Sequence, residues 1–339
     1  MSLLASGPIV TASTLSTSAG KIGQVLAVVA VFLGVLLLIF FAAGRATGRF
    51  QRPLSIAIFI GPAAILLIVG LVGPAIRTLI LSLYGAPYKN ASFVGLDNYK
   101  WAFTNPNEQS VLLNTLLWIV VAPVVSTALG LLIALAVDRM RSQTIIKSLI
   151  FMPTAISFVG ASVVWKFVYD YRSPDQPQTG LLSQVVMWLG WNNPPHWLLS
   201  HPLNNFLLIA ILIWIETGFA MVVLAAAIKA IPDDIIEAAR VDGAHGFRLL
   251  RSVQIPMVRA TLVVVLTTVM IATLKIFDIV RTMTGGNFKT NVLANDMYDQ
   301  TFNLFNYGRG SALAVIIFIG VLPLMAYNIV QLRKERATR

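Results

Sequence analysis

The sequence predicts an all-α, polytopic transmembrane helical bundle of about seven spans, and three observations carry that prediction. Of 339 residues, 57% are hydrophobic and only 12% are charged. Mean hydropathy is +0.79, far above the range of a water-soluble domain. The apolar residues are gathered into runs long enough for a helix to cross ~30 Å of hydrocarbon. Lipid offers no partner to an unpaired backbone group, so each run is expected to cross as a helix.

Residues 1–20 carry Ser, Thr and Ala but no Lys or Arg. They lack the basic start of a cleaved signal peptide and read as a retained tail. Seven apolar runs follow, at residues 22–43, 54–76, 111–137, 148–169, 206–230, 261–280 and 310–330. The first is the one whose loss would change least, since six spans with a peripheral N-terminal segment leave the rest intact. Basic residues cluster in alternate connections: Arg45, Arg49 and Arg52; Arg139, Arg141 and Lys147; Lys229, Arg240, Arg248, Arg251 and Arg259; and Arg333, Lys334, Arg336 and Arg339. That side is expected to be cytoplasmic. The opposite loops hold scattered charges, Lys89, Lys100, Arg172 and Lys289, among Pro, Asn, Gly and Trp. Seven spans then place the N-terminus outside.

The formal net charge of +11 does not make a nucleic-acid surface, because the basic residues sit in short clusters between apolar runs. Cysteine is absent, which excludes disulfides and thiolate chemistry. No G-x-x-x-x-G-K-[ST] phosphate loop occurs: Gly20-Lys21 has Leu15 where the first glycine belongs. His196, His201 and His245 lack the acidic or Cys neighbours of a metal site. No nucleophile, base and acid fall together on one face. Transport, not catalysis, is the expected class.

The most informative connection runs from Ile231-Pro232-Asp233-Asp234 through Glu237-Ala238-Ala239-Arg240-Val241-Asp242-Gly243 to Ile255-Pro256. It predicts a helix–turn–helix. Pro232 suits a first helical turn, and Asp233 and Asp234 complement the positive helix end. Ala238 and Ala239 keep one face small, so another surface can approach, while Gly243 permits a turn closed to residues with a Cβ. Phe247, Leu250 and Val253 recur at helical spacing and give the second helix an apolar side. Pro256 is expected to end it before the next span.

This run resembles the E-A-A-x-x-D-G-A…I-x-L-P loop of binding-protein-dependent ABC importer permeases. Glu237, Ala238, Ala239, Asp242 and Gly243 match residue for residue; Ile255-Pro256 stands where Leu-Pro is usual, and Ala260 replaces a common proline. The resemblance covers roughly residues 54–335 and narrows toward the carbohydrate, maltose-type class. Phe93-Val94-Gly95-Leu96-Asp97-Asn98-Tyr99 is similar to its F-x-G-L-x-N-[YF] element, and Phe277-Asp278, Thr284-Gly285-Gly286 and Tyr307-Gly308 to its F-D…T-x-G-G…Y-G series. Residues 151–171 and 273–287 look most like the α-glucoside branch. The chain then divides into residues 1–53, a tail plus one additional span, and residues 54–339, a permease domain with its cytoplasmic coupling loop at 231–256.

The resemblance implies the ABC importer permease fold and a subunit of the bacterial cell membrane. It would translocate a disaccharide or oligosaccharide, an α-glucoside such as a maltose- or trehalose-like sugar, by alternating access. The implied partners are a second homologous permease, an ATPase dimer docked on the coupling helix, and an extracytoplasmic sugar-binding protein. ATP and Mg would be held by the ATPase, with no cofactor on this chain and no nucleic acid. Another solute, a sugar phosphate or glycerol derivative, is the alternative within the family. A secondary transporter would need inverted repeats and a coupling-ion site, and a channel would need symmetric pore-lining rings; neither pattern is visible.

The resemblance also places bound sugar among the spans near the midplane. Thr268, Ala272 and Lys275 share a helical face by i, i+4, i+7 spacing; Glu216 and Phe219 lie together on the fifth span, Thr154 and Phe158 on the fourth. A charge at that depth costs ~2.5–3.5 kcal/mol, so it is expected to face a cavity or a partner. Lys275 paired with Asp278 at i+3, and Glu216 bonded to a neighbouring helix, are the structural alternatives. Otherwise Glu216 and Lys275 bond sugar hydroxyls while Phe219 or Phe158 stacks on a pyranose face.

Overall fold

A computed structural model describes residues 51–86, 92–138, 140–173 and 175–337, together with 30, 33–35, 37 and 41. The tail 1–20, most of the expected first span 22–43, and Arg45, Arg49, Lys89, Arg139 and Arg339 lie outside the described residues. The chain forms two compact units, residues 1–77 and 78–339. Among the described residues the secondary structure is helical apart from one isolated bridge between Tyr84 and Phe93. Among the described residues five helices are long and apolar enough to cross a membrane, and a sixth crossing is available from two helices that meet at 102°.

Helix α1 (Gln51–Leu67) lies in the first unit and passes through a π turn (Ile68–Val72) into α2 (Gly73–Leu81), whose last residues begin the second unit. The π turn precedes Pro74, whose ring would clash with the carbonyl four residues back in a regular helix.

The second unit continues with α3 (Asp97–Thr104), α4 (Pro106–Val137), α5 (Gln143–Phe151), a 3-10 turn (Met152–Ala155), α6 (Phe158–Val168), α7 (Leu181–Trp188) and α8 (Leu203–Lys229). Next come α9 (Asp233–Val241), α10 (Gly246–Leu249), a π turn (Leu250–Gln254), α11 (Ile255–Leu274) and α12 (Asp278–Met283). The chain closes with α13 (Leu293–Tyr298), a π turn (Asp299–Asn303) and α14 (Tyr307–Ala337).

Helix α4 starts where the Asn105 side chain accepts the Asn107 N–H and Pro106 takes a position whose N–H has no use. Val111, Trp118 and Ala122 point inward while Leu113, Leu116, Val120 and Val124 are exposed. Apolar residues on both faces are the mark of a helix with protein on one side and lipid or another subunit on the other. Helices α4 and α8 pack along each other as the central pair. At their crossing a Cβ on Gly130 would lie 2.6 Å from the Ala220 Cβ, so only glycine permits that backbone approach. Three apolar clusters hold the bundle. One joins Trp118, Leu208, Leu212 and Ile279, a second Ala134, Met221, Leu224 and Val265, and a third Val111, Leu293 and Leu313.

Three expectations need correction. The run 148–169 is not one straight helix: Pro153 lacks an N–H in the 3-10 turn, and the Ser157 hydroxyl accepts the Gly160 N–H to start α6 afresh. The run 261–280 stops at Leu274, where Lys275 and Ile276 donate to the carbonyls of Ala272 and Thr273 and tighten the last turn. Pro256 does not end a helix: the chain stays helical from Gly246 to Leu274. The Ile255 N–H reaches Leu250 O across the π turn, giving the proline ring the same relief as at Pro74.

Candidate functional site

The segment 231–256 forms the expected helix–turn–helix. Pro232 sits at the N-cap, one residue earlier than the first-turn position anticipated, and Asp233 and Asp234 occupy the first turn. Arg240 lies in the last turn, so the charges oppose the helix dipole at both ends. Gly243 has φ +81, its N–H bonds Arg240 O at 3.0 Å, and the Ala244 N–H bonds Ala239 O at 2.9 Å. These are the paired bonds of a left-handed helix stop, so the Asp242-Gly243 pair is a conformational requirement of the loop.

Glu237, Ala238 and Asp242 are exposed and Ala239 is half-buried. The second helix turns differently from expectation. Leu249 is its buried anchor, whereas Phe247 is 73% exposed, beside Val241 at 88%. Two large apolar side chains held outward among charged neighbours give the loop a surface suited to burial against another protein.

The glycine- and asparagine-containing motifs converge in space. Asn98 Nδ2 donates to the carbonyls of Ser82 and Tyr84, Tyr99 Oη lies 2.6 Å from Ser82 Oγ, and a Cβ on Gly308 would collide with Tyr84 O. The Phe93–Tyr99 element and the Tyr307-Gly308 element are therefore two sides of one contact. The Thr284-Gly285-Gly286 turn uses φ +65 and +85 at its glycines, and Thr284 Oγ1 lies 2.6 Å from Thr290 Oγ1.

Sequence reasoning missed what clamps that turn. Asn114 of α4 donates to Lys289 O (2.8 Å) and Asn291 O (3.0 Å), Asn205 of α8 to Lys289 O (3.0 Å), and Asn204 to Phe288 O (2.9 Å). Phe288 and Lys289 are left-handed, with φ 56 and 60, so their carbonyls turn into the bundle and need these donors. Three asparagines near helix starts in apolar sequence were the available signal.

The predicted sugar-site residues fall in two places. Gly218 of α8 packs on Ile150 O and Phe151, which sets the stretch containing Glu216 and Phe219 beside the 3-10 turn that holds Thr154. Thr154 Oγ1 donates to Phe151 O, and Phe158 packs partly buried on the Trp118 cluster. Thr268 is exposed and bonds Val264 O at 2.7 Å, with Ala272 half-buried one turn on. Lys275, off the end of α11, is exposed and lines a different cavity, about 390 Å³, with Phe277, Met297, Tyr298 and Ile317. Asp278 belongs to α12, so the intrahelical pair with Lys275 does not form. Among the described residues neither Glu216 nor Lys275 has a hydrogen bond or ion pair. A second cavity, about 300 Å³, lies at the end of α6 between Lys166, Asp170, Tyr171 and His196.

Residues 126–339 match the family described as "Binding-protein-dependent transport system inner membrane component". The chain is 48% identical over 281 residues to the osmoprotective compounds uptake permease protein GgtC of Synechocystis sp., covering 83% of this chain and all of that one. It is 46% identical over 279 residues to the alpha-glucoside transport system permease protein AglF of Rhizobium meliloti, covering 82% of each. Its fold is similar to a chain of the bacterial alginate ABC transporter solved in complex with alginate pentasaccharide-bound periplasmic protein. The TM-score is 0.70 at 20% identity, over 82% of this chain and 94% of that one.

Proposed function

Because this chain belongs to the binding-protein-dependent transport system inner membrane component family, we propose that it is the sugar-conducting permease of an ABC importer whose cargo is an α-glucoside. The observation that carries this reading is the loop 231–256: a rigid helix, stopped by a left-handed glycine, that presents Val241 and Phe247 outward. Such a surface transmits force from another subunit. The ATPase dimer that docks there binds ATP and Mg; an extracytoplasmic sugar-binding protein delivers the cargo, and a second homologous permease completes the path. The permease domain is residues 54–339, the loop faces the cytoplasm, and residues 1–53 are an addition with the N-terminus outside.

The path runs past Thr154, Phe158, Glu216 and Phe219, and past Thr268, Ala272 and Lys275 on α11 and its end. Glu216 and Lys275 are unpartnered among the described residues, which suits polar groups reserved for sugar hydroxyls; Phe219 and Phe158 supply apolar faces for a pyranose. Alternating access follows if ATP-driven closure moves α9 and the helices rooted in it.

The near-equal likeness to a relative named for osmoprotective compounds favours one second reading, a compatible solute as cargo. Proteoliposomes holding the full assembly are expected to accumulate a labelled α-glucoside with enclosed ATP and not with a non-hydrolysable analogue. Accumulation driven by an ion gradient without ATP overturns the ABC reading. Accumulation of an osmoprotectant that excess α-glucoside does not compete away assigns the other cargo.

A further inference from the structure

Helix α4 begins, and α13 begins, with a buried acid. Glu108 is 6% exposed and Asp296 is 7% exposed. The two helices pack together, and the carboxyl groups are near enough to act on each other. Asp296 Oδ1 accepts from Asn291 Nδ2 at 3.2 Å, but Asp296 Oδ2 and Glu108 Oε2 have no donor among the described residues. Two ionised carboxylates offer each other only acceptors, and two adjacent negative charges away from water repel strongly. Burial itself also pushes the Asp296 carboxyl above the usual carboxylate range.

We propose that Glu108 and Asp296 form a buried proton-binding site in which one shared proton, donated from one carboxyl oxygen to the other, ties the start of α4 to α13. A single proton removes both unpartnered oxygens and leaves one negative charge. The groups around the pair fit that charge. Arg309 of α14, its guanidinium 4.3 Å from the Trp101 ring centre, acts on Glu108, and Asn291 donates to Asp296. Asp299 is the remaining nearby acid, and it is neutralised by Arg281 at 2.8 Å.

The pair therefore keeps its proton to higher pH than an exposed carboxyl does and releases it in alkali. A carboxyl whose folded-state pKa is raised contributes stability that is present in acid and lost as pH rises through that value.

The full-length protein in lipid nanodiscs is expected to show the infrared C=O stretch of a protonated carboxylic acid at about pH 7. Its melting temperature should fall by ~2–4 °C or more toward about pH 9. Asp296→Asn, whose amide donates to ionised Glu108 in the proton's place, should lose the band and flatten the pH dependence while staying folded. Glu108→Gln should do the same from the other side. A wild-type melting temperature that is flat over that range, or a band that survives in both variants, overturns the proposal. Selective stabilisation of the wild type by sodium or calcium at alkaline pH, absent in Asp296→Asn, overturns it in favour of a bound cation.

Discussion

Asn205 donates its side-chain amide to Asn114 Oδ1 at 3.2 Å, joining α8 to α4 where both also hold the carbonyl of Lys289. The pair fixes a turn whose backbone points its polar groups inward, 84 residues along the chain from one partner and 175 from the other. The two asparagines themselves are buried, so their amides have no water to fall back on.

Truncating Asn114 to Ala takes the donor from Asn291 O, at a cost of about 1–3 kcal/mol for a group left unsatisfied, and leaves Lys289 O and the Asn205 amide only each other. Asn114→Ala and Asn205→Leu are expected to lower the melting temperature and to open the 284–292 turn to proteolysis. Unchanged protection of that turn in both variants would show that it is held elsewhere.

Gly130 has no room for a side chain, since its Cβ would lie 2.7 Å from Met221 N as well as against Ala220. Gly130→Val should force α4 and α8 apart, with overpacking of about 1–3 kcal/mol or more. Size-exclusion chromatography reads this as a loss of monodisperse protein. Gly61, with nothing within 4 Å of its Cβ position among the described residues, is the matched site for a tolerated substitution.

At Gly243 the φ of +81 sets an order among substitutions. Asn visits the left-handed region readily and a β-branched residue does not, the penalty being ~1–2 kcal/mol. Gly243→Asn should transport nearly normally. Gly243→Val and Gly243→Asp should reduce uptake, Val most, and Ala239→Arg should weaken ATPase association while leaving membrane insertion intact. Equal uptake across the series removes the docking role from this turn.

Neutralising the unpartnered charges tests the sugar path. Glu216→Gln and Lys275→Met should each impair uptake by roughly tenfold, the equivalent of ~1.4 kcal/mol, more than they impair assembly or ATPase association. Normal uptake with unchanged substrate preference in both would make the charges structural and move the site to another surface.

Topology is directly measurable because the chain has no cysteine. A single Cys at position 245 should react with an impermeant thiol reagent only in inside-out vesicles, and one at position 94 only in intact spheroplasts. Labelling of position 245 from outside reverses the orientation.

Membrane residence, helical class and the family were legible because hydrophobic runs and the Glu237–Gly243 motif are local in sequence, and the Gly243 turn formed as read. The break at Pro153 and Ser157 was written locally too, but within an apolar run its weight against the hydrophobic signal could not be judged without packing.

What the sequence by itself determined is the solvent of this protein, its helices, and the turn that ends α9, since burial in lipid and a glycine's left-handed φ are properties of short segments. Only the tertiary structure decided which polar groups meet. Asn114 finds Lys289, Gly308 backs onto Tyr84, Glu108 faces Asp296, and Lys275 leaves the face it was expected to share. Those outcomes depend on how whole helices cross, and in a bundle apolar on every side no periodicity marks the face that will be buried.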